Sequence, residues 1–365
     1  MTKTRAAVQT ADRTIELQEF EVPESVGERE ALLAVEASGM CGSDWEQYQG
    51  EFAEMDLVEY PCIPGHEPIG RIEMIGAGAS EAWGVSEGDR VAVEPFAPCG
   101  VCPRCVEGEY TLCDNRFMYA FTPTTVGSGL WGGYSGYMHL RPNTVVHRLP
   151  EGLPRDEAVL FNPLGAGFEW VYRVGGVDPG DSVLVLGPGQ RGLASTVACD
   201  VVGAEEVIVT GLERDAAKLE LAREFGATHT VNVEAADVVE RVEEVTGGRG
   251  VDVAIDVTPI ATEPVIDAID AVRPGGTVVL AGLKGMKEVP GFVSDRLVLD
   301  DIDLRGVLGV RSWAYDRAIR VIESGEYPLE RMHSHTFAVE EVERAMRILG
   351  GEVDEEATHI TVVPE

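Results

Sequence analysis

The chain has 365 residues, 44% of them hydrophobic, with 63 acidic against 29 basic side chains and a formal charge of -34. That length and apolar content suffice for two domains with real cores and exclude disorder of the whole chain. The acids are spread along the sequence, a surface that repels nucleic acid and anionic lipid, so neither nucleic acid nor membrane is expected as a partner. The charge reads as a solvated acidic shell suited to a salty cytoplasm; the alternative is an acidic patch for a basic partner.

Met1-Thr2-Lys3-Thr4-Arg5 runs directly into Ala6-Ala7-Val8, without the apolar run of a secretory signal, and a cytoplasmic protein is expected. No uninterrupted apolar stretch approaches the roughly 18 residues of a membrane-spanning helix. From Arg5 to about Gly39 the pattern is short β segments, such as Ala31–Ala37, between polar turns. They lead to Gly39-Met40-Cys41-Gly42-Ser43-Asp44 and, after a loop, to Pro64-Gly65-His66-Glu67-Pro68. A thiolate, an imidazole and a carboxylate from separate loops can hold zinc while leaving one position open for substrate. Taken singly each is weak: a lone cysteine is commonly buried and inert, and Gly-His-Glu recurs by chance.

Four of the seven cysteines follow close together, at Cys99, Cys102, Cys105 and Cys113. Four thiolates at this spacing close a tetrahedral shell on one zinc with no vacancy, which makes the site structural. Disulfides are the alternative, but Cys-x-x-Cys-x-x-Cys crowds three sulfurs too closely for independent bridges. A nucleic-acid zinc ribbon is the other, and the acidic charge opposes it. Residues Phe117 to Leu130 form an aromatic, Gly/Thr-rich loop, after which residues 132–140 return to strand alternation. Phe117, Tyr119, Phe121 and Trp131 either line a substrate pocket or pack the surface, and the sequence leaves both open.

After Pro163 the rhythm becomes α/β. Val183 to Leu186 is a hydrophobic strand that feeds Gly187-Pro188-Gly189-Gln190-Arg191-Gly192 and then a helix from Leu193 to Val202. A Gly-x-Gly-x-x-Gly turn between a strand and a helix lays a dinucleotide's pyrophosphate on helix N-terminal N–H groups. Strands follow at Glu206–Thr210, Val251–Val257 and, after a Pro274-Gly275-Gly276 turn, Thr277–Gly282. A helix runs from Asp215, its N-cap, to Phe225, with Gly226 as the stop. Such alternation implies a doubly wound parallel sheet. At the end of the second strand, where NAD enzymes place an acid for the ribose hydroxyls, stands Gly211. Its neighbour Arg214 suits a 2′-phosphate, which leans the reading toward NADP, whereas Glu213 could serve as a ribose acceptor for NAD. The tail carries helices at Asp316–Ser324 and Val339–Leu349 and a closing strand at Thr358–Val363.

The ordered set Cys41, His66-Glu67, Gly84-Val85-Ser86-Glu87-Gly88-Asp89-Arg90-Val91, the four cysteines and the glycine turn resembles the zinc-dependent medium-chain dehydrogenase/reductase family of alcohol, polyol and threonine dehydrogenases. The resemblance spans almost the whole chain. It implies a GroES-like, mostly β catalytic domain at 1–158 and 312–365, with a structural-zinc lobe at about 95–116, and a Rossmann NAD(P)-binding domain at 159–311. It implies two Zn2+ ions, one structural on the four cysteines and one catalytic on Cys41, His66 and Glu67. It also implies a homodimer or homotetramer whose subunits meet at Val278–Leu283 and Leu304–Val310.

Two residues depart from the family pattern. Asn162 stands before Pro163-Leu164 where the family has an acidic or thiol zinc ligand, so the fourth ligand is either its amide oxygen or water. Glu46 stands where relatives often carry a proton-relaying histidine; Ser43 keeps the relay's first position, and Glu46 either passes the proton on or is one more solvated acid. The implied activity is hydride transfer between a small alcohol or carbonyl substrate, of secondary alcohol, polyol or sugar type, and NAD(P). The rivals are an NADPH-dependent carbonyl or enone reductase of the same fold without catalytic zinc, and a non-catalytic dinucleotide-binding protein.

Overall fold

The computed structural model describes residues 2–364. The chain forms two compact units, Met1–Asn162 together with His333–Glu365, and Pro163–Met332.

The first unit is mostly β, organised on the strand Ala31–Met40. That strand pairs antiparallel with Glu67–Ile75, Tyr137–Leu140 and His359–Val363. The full sheet runs in the order His333–Ala338, His359–Val363, Ala31–Met40, Glu67–Ile75, Arg90–Val93, Val146–Arg148. A hairpin, Lys3–Ala11 with Thr14–Glu21, lies outside it. Ala31–Met40 is buried along nearly its whole length, so its neighbours must be slim: a Cβ on Gly70 would stand 2.2 Å from the Ala34 carbonyl oxygen. One core cluster gathers Met40, Tyr134, Val342 and Met346, and another Leu33, Ile72, Tyr119 and Trp131. Because His359–Val363 fills a place inside the sheet, the C-terminal tail is part of this unit.

The second unit is a six-stranded parallel sheet in the order His229–Asn232, Glu206–Gly211, Ser182–Leu186, Val251–Asp256, Val272–Leu280, Asp303–Gly306. Ser182–Leu186 comes first in the chain and lies inside the sheet, so the strand order reverses beside it, the position at which doubly wound folds bind ligands. Ser182–Leu186 and Val251–Asp256 are buried throughout, as strands covered on both faces must be. The helices Gln190–Val202, Ala216–Glu224, Val238–Thr246 and Glu263–Ala271 alternate with the strands in sequence.

Local differences from the sequence reading have physical causes. Asp215 precedes Ala216–Glu224 as expected, but its carboxylate accepts from Leu212 N at 3.2 Å instead of capping the helix. Pro274-Gly275-Gly276 is an irregularity inside the strand Val272–Leu280, not a turn before it: register shifts between Val251 and Val253, and Gly275 takes a φ of 73°. The helix expected from Asp316 begins at Ser312 and buries Ala314, Tyr315 and Ala318. Tyr315 lies against Gly165, and the chain leaves the second unit only at Met332.

Candidate active site

Strand Ala31–Met40 ends at Cys41, which caps the helix Gly42–Gln49. Asp44, fully buried, turns back so that one carboxylate oxygen accepts from Cys41 N at 2.8 Å, and the other lies 3.2 Å from His66 Nδ1. The ring N–H therefore donates to Asp44, and Nε2 faces the Cys41 side, 3.4 Å from Ser43 Oγ and 3.9 Å from Glu67 Oε1. Gly65 brings His66 into place at a φ of 91°, where a Cβ would stand 2.5 Å from the Tyr134 ring. Glu67 opens the strand Glu67–Ile75 opposite Gly39; a Cβ on Gly39 would stand 2.5 Å from the Glu67 carboxylate and 3.1 Å from His359 Nε2. One donor atom each from Cys41, His66 and Glu67 thus lies within 4.8 Å of the others, all three residues buried.

Burial opposes a charged His66 ring, but Asp44 and Cys41 outweigh it and raise its proton affinity well above the ordinary value. Burial, then Asp44 and Glu67, push the Tyr134 phenol well up, so it stays protonated and donates to Asp44 at 3.1 Å. Thiolate, imidazole and carboxylate at this separation fit a zinc ion. Asp44 acts behind the ring, orienting the imidazole as partners of metal-bound histidines do.

Cys99, Cys102, Cys105 and Cys113 form a second donor set, again with all four ligand atoms within 4.8 Å. None is bridged; the Cys102 sulfur lies 3.5 Å from that of Cys105 and 3.8 Å from that of Cys113. Backbone N–H groups of Val101 and Cys102 lower the Cys99 thiol to about 6, whereas burial and the neighbouring sulfurs push Cys105 up to about 12. Nearby, Tyr110 donates to Glu94 at 2.8 Å, and Glu94 pairs with His147 at 2.8 Å, which ties this lobe to the sheet.

Asn162 is buried, 3% exposed, and belongs to the same unit as Cys41. Glu46 is buried too; loss of water, then the charges of Cys41 and Glu51, push its carboxyl up to about 8. Of the four loop aromatics, Tyr119 and Trp131 are core, and Phe117 packs edge-on against both. Only Phe121 stands beside the donor set, its ring 6.1 Å from His66 and 5.8 Å from Phe52.

In the second unit Gly187 takes a φ of 104°, and a Cβ on Gly192 would stand 1.8 Å from the Gly187 carbonyl oxygen. Gly189 caps the helix and has open space where a Cβ would be. Gln190 is buried, and the Arg191 guanidinium lies 5.8 Å from the Trp170 ring centre. At Gly211 a Cβ would meet Pro188 at 2.8 Å, Leu219 at 3.2 Å and Asp215 at 3.3 Å, so a side chain there would have to displace the Pro188 ring. Glu213 and Arg214 are both exposed. Lys218, which the sequence reading passed over, adds a cation here, 3.1 Å from Asp215.

Residues 27–151 match the family described as "Alcohol dehydrogenase GroES-like domain", and residues 192–324 that described as "Zinc-binding dehydrogenase". The chain belongs to the zinc-dependent medium-chain dehydrogenase/reductase family. Within it, the chain is 42% identical over 355 residues to a probable alcohol dehydrogenase of Mycobacterium tuberculosis (strain ATCC 25618 / H37Rv), covering 96% of this chain and 95% of the relative. It is 32% identical over 347 residues to the sorbitol dehydrogenase of Bacillus subtilis (strain 168), covering 94% and 92%. Among solved structures it resembles an alcohol dehydrogenase from Thermotoga maritima, with a TM-score of 0.88 at 26% identity over 100% of both chains. The GroES-like and Rossmann architecture implied by the family resemblance is the architecture found.

Proposed function

We propose that the protein is a zinc-dependent oxidoreductase that moves hydride between an alcohol of secondary-alcohol, polyol or sugar type and NAD(P)+. Family membership supports alcohol and polyol oxidoreduction. The observation that carries the reading is the buried convergence of Cys41, His66 and Glu67 within 4.8 Å. In this reading those three hold the catalytic zinc, with Asn162 or water as the fourth ligand, and Cys99, Cys102, Cys105 and Cys113 hold a structural one. The chemistry zinc supplies at such a site is Lewis-acid polarisation of the substrate oxygen.

The chain's own residues do the rest. Asp44 keeps the His66 ring turned with Nε2 toward Cys41 and Glu67. Ser43 takes the substrate hydroxyl proton as it hands its own to Glu46 in its ionised form, or to a ribose hydroxyl, which passes a proton on to solvent. The first unit is the catalytic domain and the second the cofactor domain. Gly187, Gly189, Gln190, Arg191 and Gly192 receive the pyrophosphate. The crowding at Gly211, with Arg214 exposed nearby, leans the cofactor toward NADP. A second copy of the chain pairs along the sheet edge Asp303–Gly306, whose four residues are all exposed, beside exposed Leu283 and Leu308.

The primary experiment is metal analysis with an activity screen. About two zinc ions per chain are expected, falling to about one in Cys41→Ala; a wild-type count of one, unchanged by Cys41→Ala, overturns the catalytic-zinc assignment. Nicotinamide absorbance, followed at high salt across secondary alcohols, sugars, polyols and hydroxy-amino acids, names the substrate. Comparing kcat/KM with the two cofactors tests the NADP lean, which a large preference for NAD overturns. Asn162, where a charged ligand is usual, favours one rival, the zinc-independent carbonyl or enone reductase; activity that survives removal of the accessible metal supports it.

A further inference from the structure

The last residue of the strand Val251–Asp256 is a fully buried carboxylate, and its partner is Lys284, whose side chain is only 11% exposed. Lys284 Nζ lies 2.7 Å from Asp256 Oδ2 and donates to the Thr258 carbonyl at 2.5 Å and to the Thr258 hydroxyl at 2.9 Å. The other oxygen of Asp256 accepts from Thr258 N at 2.9 Å and from the Thr258 hydroxyl at 2.6 Å. Thr258 is thereby gripped at its N–H, its carbonyl and its hydroxyl by one buried ion pair.

What Thr258 touches gives the grip its meaning. A Cβ built on Gly187 would stand 2.9 Å from Thr258 Cγ2 and 3.5 Å from Val257 Cγ2, and one built on Gly192 also 3.5 Å from Val257 Cγ2. The segment 257–258 is therefore the floor beneath the glycine turn. It sits where Val251–Asp256 pairs with Ser182–Leu186, beside the reversal in strand order. Packing alone does not call for a charge pair here, since apolar residues of similar volume stabilise a buried position as well or better. A directional, multidentate anchor does call for one, because it holds the backbone in a single arrangement.

We infer that Lys284 and Asp256, acting through Thr258, are positioning residues that hold the glycine turn in its dinucleotide-binding shape. The inference rests on the dinucleotide reading of that turn. Neither charged group contacts the cofactor in this account; each acts by fixing the surface against which Gly187 closes.

The test is fluorescence titration of the full-length protein with NADH and with NADPH, alongside thermal midpoints and zinc content. Lys284→Met and Thr258→Val are expected to raise the dissociation constant of the dinucleotide that the wild type binds by about tenfold or more, with zinc content unchanged. Thr258→Ser, which keeps the hydroxyl, is expected to lose severalfold less than Thr258→Val. Unchanged affinity in Thr258→Val and Lys284→Met, whatever their midpoints, overturns the inference, and so does a loss in Thr258→Ser as large as or larger than that in Thr258→Val, since the hydroxyl that Ser keeps would then not be what holds the turn. If Lys284→Met does not fold, the double variant Asp256→Asn with Lys284→Met and the two Thr258 variants decide. A wild type that binds neither NADH nor NADPH overturns the reading of the turn itself.

Discussion

Glu46 shows how one residue gains a property that its identity does not announce. Burial pushes its carboxyl up to about 8, so the group is protonated through neutrality and can exchange a proton at the pH of the reaction. Because the folded value exceeds the ordinary one of 4.5, its contribution to stability is complete below about 4.5 and is lost as pH rises through about 8. Glu46→Gln should therefore flatten the stability curve over that interval, gaining on the order of a few kcal/mol relative to wild type at pH 9, as measured by urea unfolding. If Glu46 relays the proton, the same variant loses the limb near pH 8 from its kcat profile; an unchanged profile makes it a bystander. Asp44 is the complementary case. Asp44→Asn should weaken zinc at the Cys41 site by about 10- to 100-fold in chelator competition while leaving the four-cysteine site intact.

At the scale of elements, the parallel sheet depends on polar anchors as well as apolar strands. Asp252, near the start of Val251–Asp256, accepts from Ser182 N at 2.9 Å and from Ser182 Oγ at 2.8 Å, and pairs with Arg249 and Arg273. Burial opposes its charge, but Arg249, Ser182 and Arg273 together hold the carboxyl well below its usual range. A depressed value contributes stability that is present above the ordinary carboxylate range and lost as pH falls through the folded one. Asp252→Asn should cost about 2–4 kcal/mol at pH 7, with the gap to wild type narrowing in acid. A gap independent of pH would mean that packing, not charge, is lost. The zinc-type lobe behaves similarly: Cys113→Ser should remove one metal and loosen residues 99–113 to proteolysis, while the Cys41 site keeps its ion.

For the whole molecule the dominant fact is the charge of -34 on 365 residues. Self-repulsion of this size destabilises compact states, and salt screens it. The thermal midpoint is expected to climb as KCl is raised from about 0.1 M to about 2 M, and a flat response would remove the acidic-shell reading. For the proposed pairing with a second copy, the same repulsion would leave apolar surface as the contact. Leu299, 81% exposed, and Met286, 84% exposed, stand in the segment flanking the sheet edge Asp303–Gly306. Leu304→Lys should shift sedimentation toward the monomer; an unchanged particle mass would place the contact elsewhere. No helix among the described residues is long and apolar enough to cross a membrane.

Much of this protein was legible in one dimension because its signals are local. Cysteine spacing needs only a short loop to bring four sulfurs together, and a glycine turn between strand and helix carries its own geometry. Both motifs therefore announced the donor set and the fold that the structure contains. What one dimension could not decide was contact between distant segments. Tyr134 reaches Asp44 across 90 residues, and Lys284 reaches Thr258 across 26. The loop aromatics looked equivalent in sequence, yet only Phe121 stands beside His66, because Phe117, Tyr119 and Trp131 pack with one another instead. Spacing and periodicity by themselves determined the four-cysteine donor set and the doubly wound sheet, which follow from short loops and strand–helix alternation, whereas the family and the Cys41, His66 and Glu67 set were legible as a resemblance of ordered motifs. Only tertiary structure decided which groups lose water and which acquire a charged neighbour, because desolvation and pairing depend on what the rest of the chain packs against them. The proton affinity of Glu46 and the grip of Lys284 and Asp256 on Thr258 are the two clearest results of that packing.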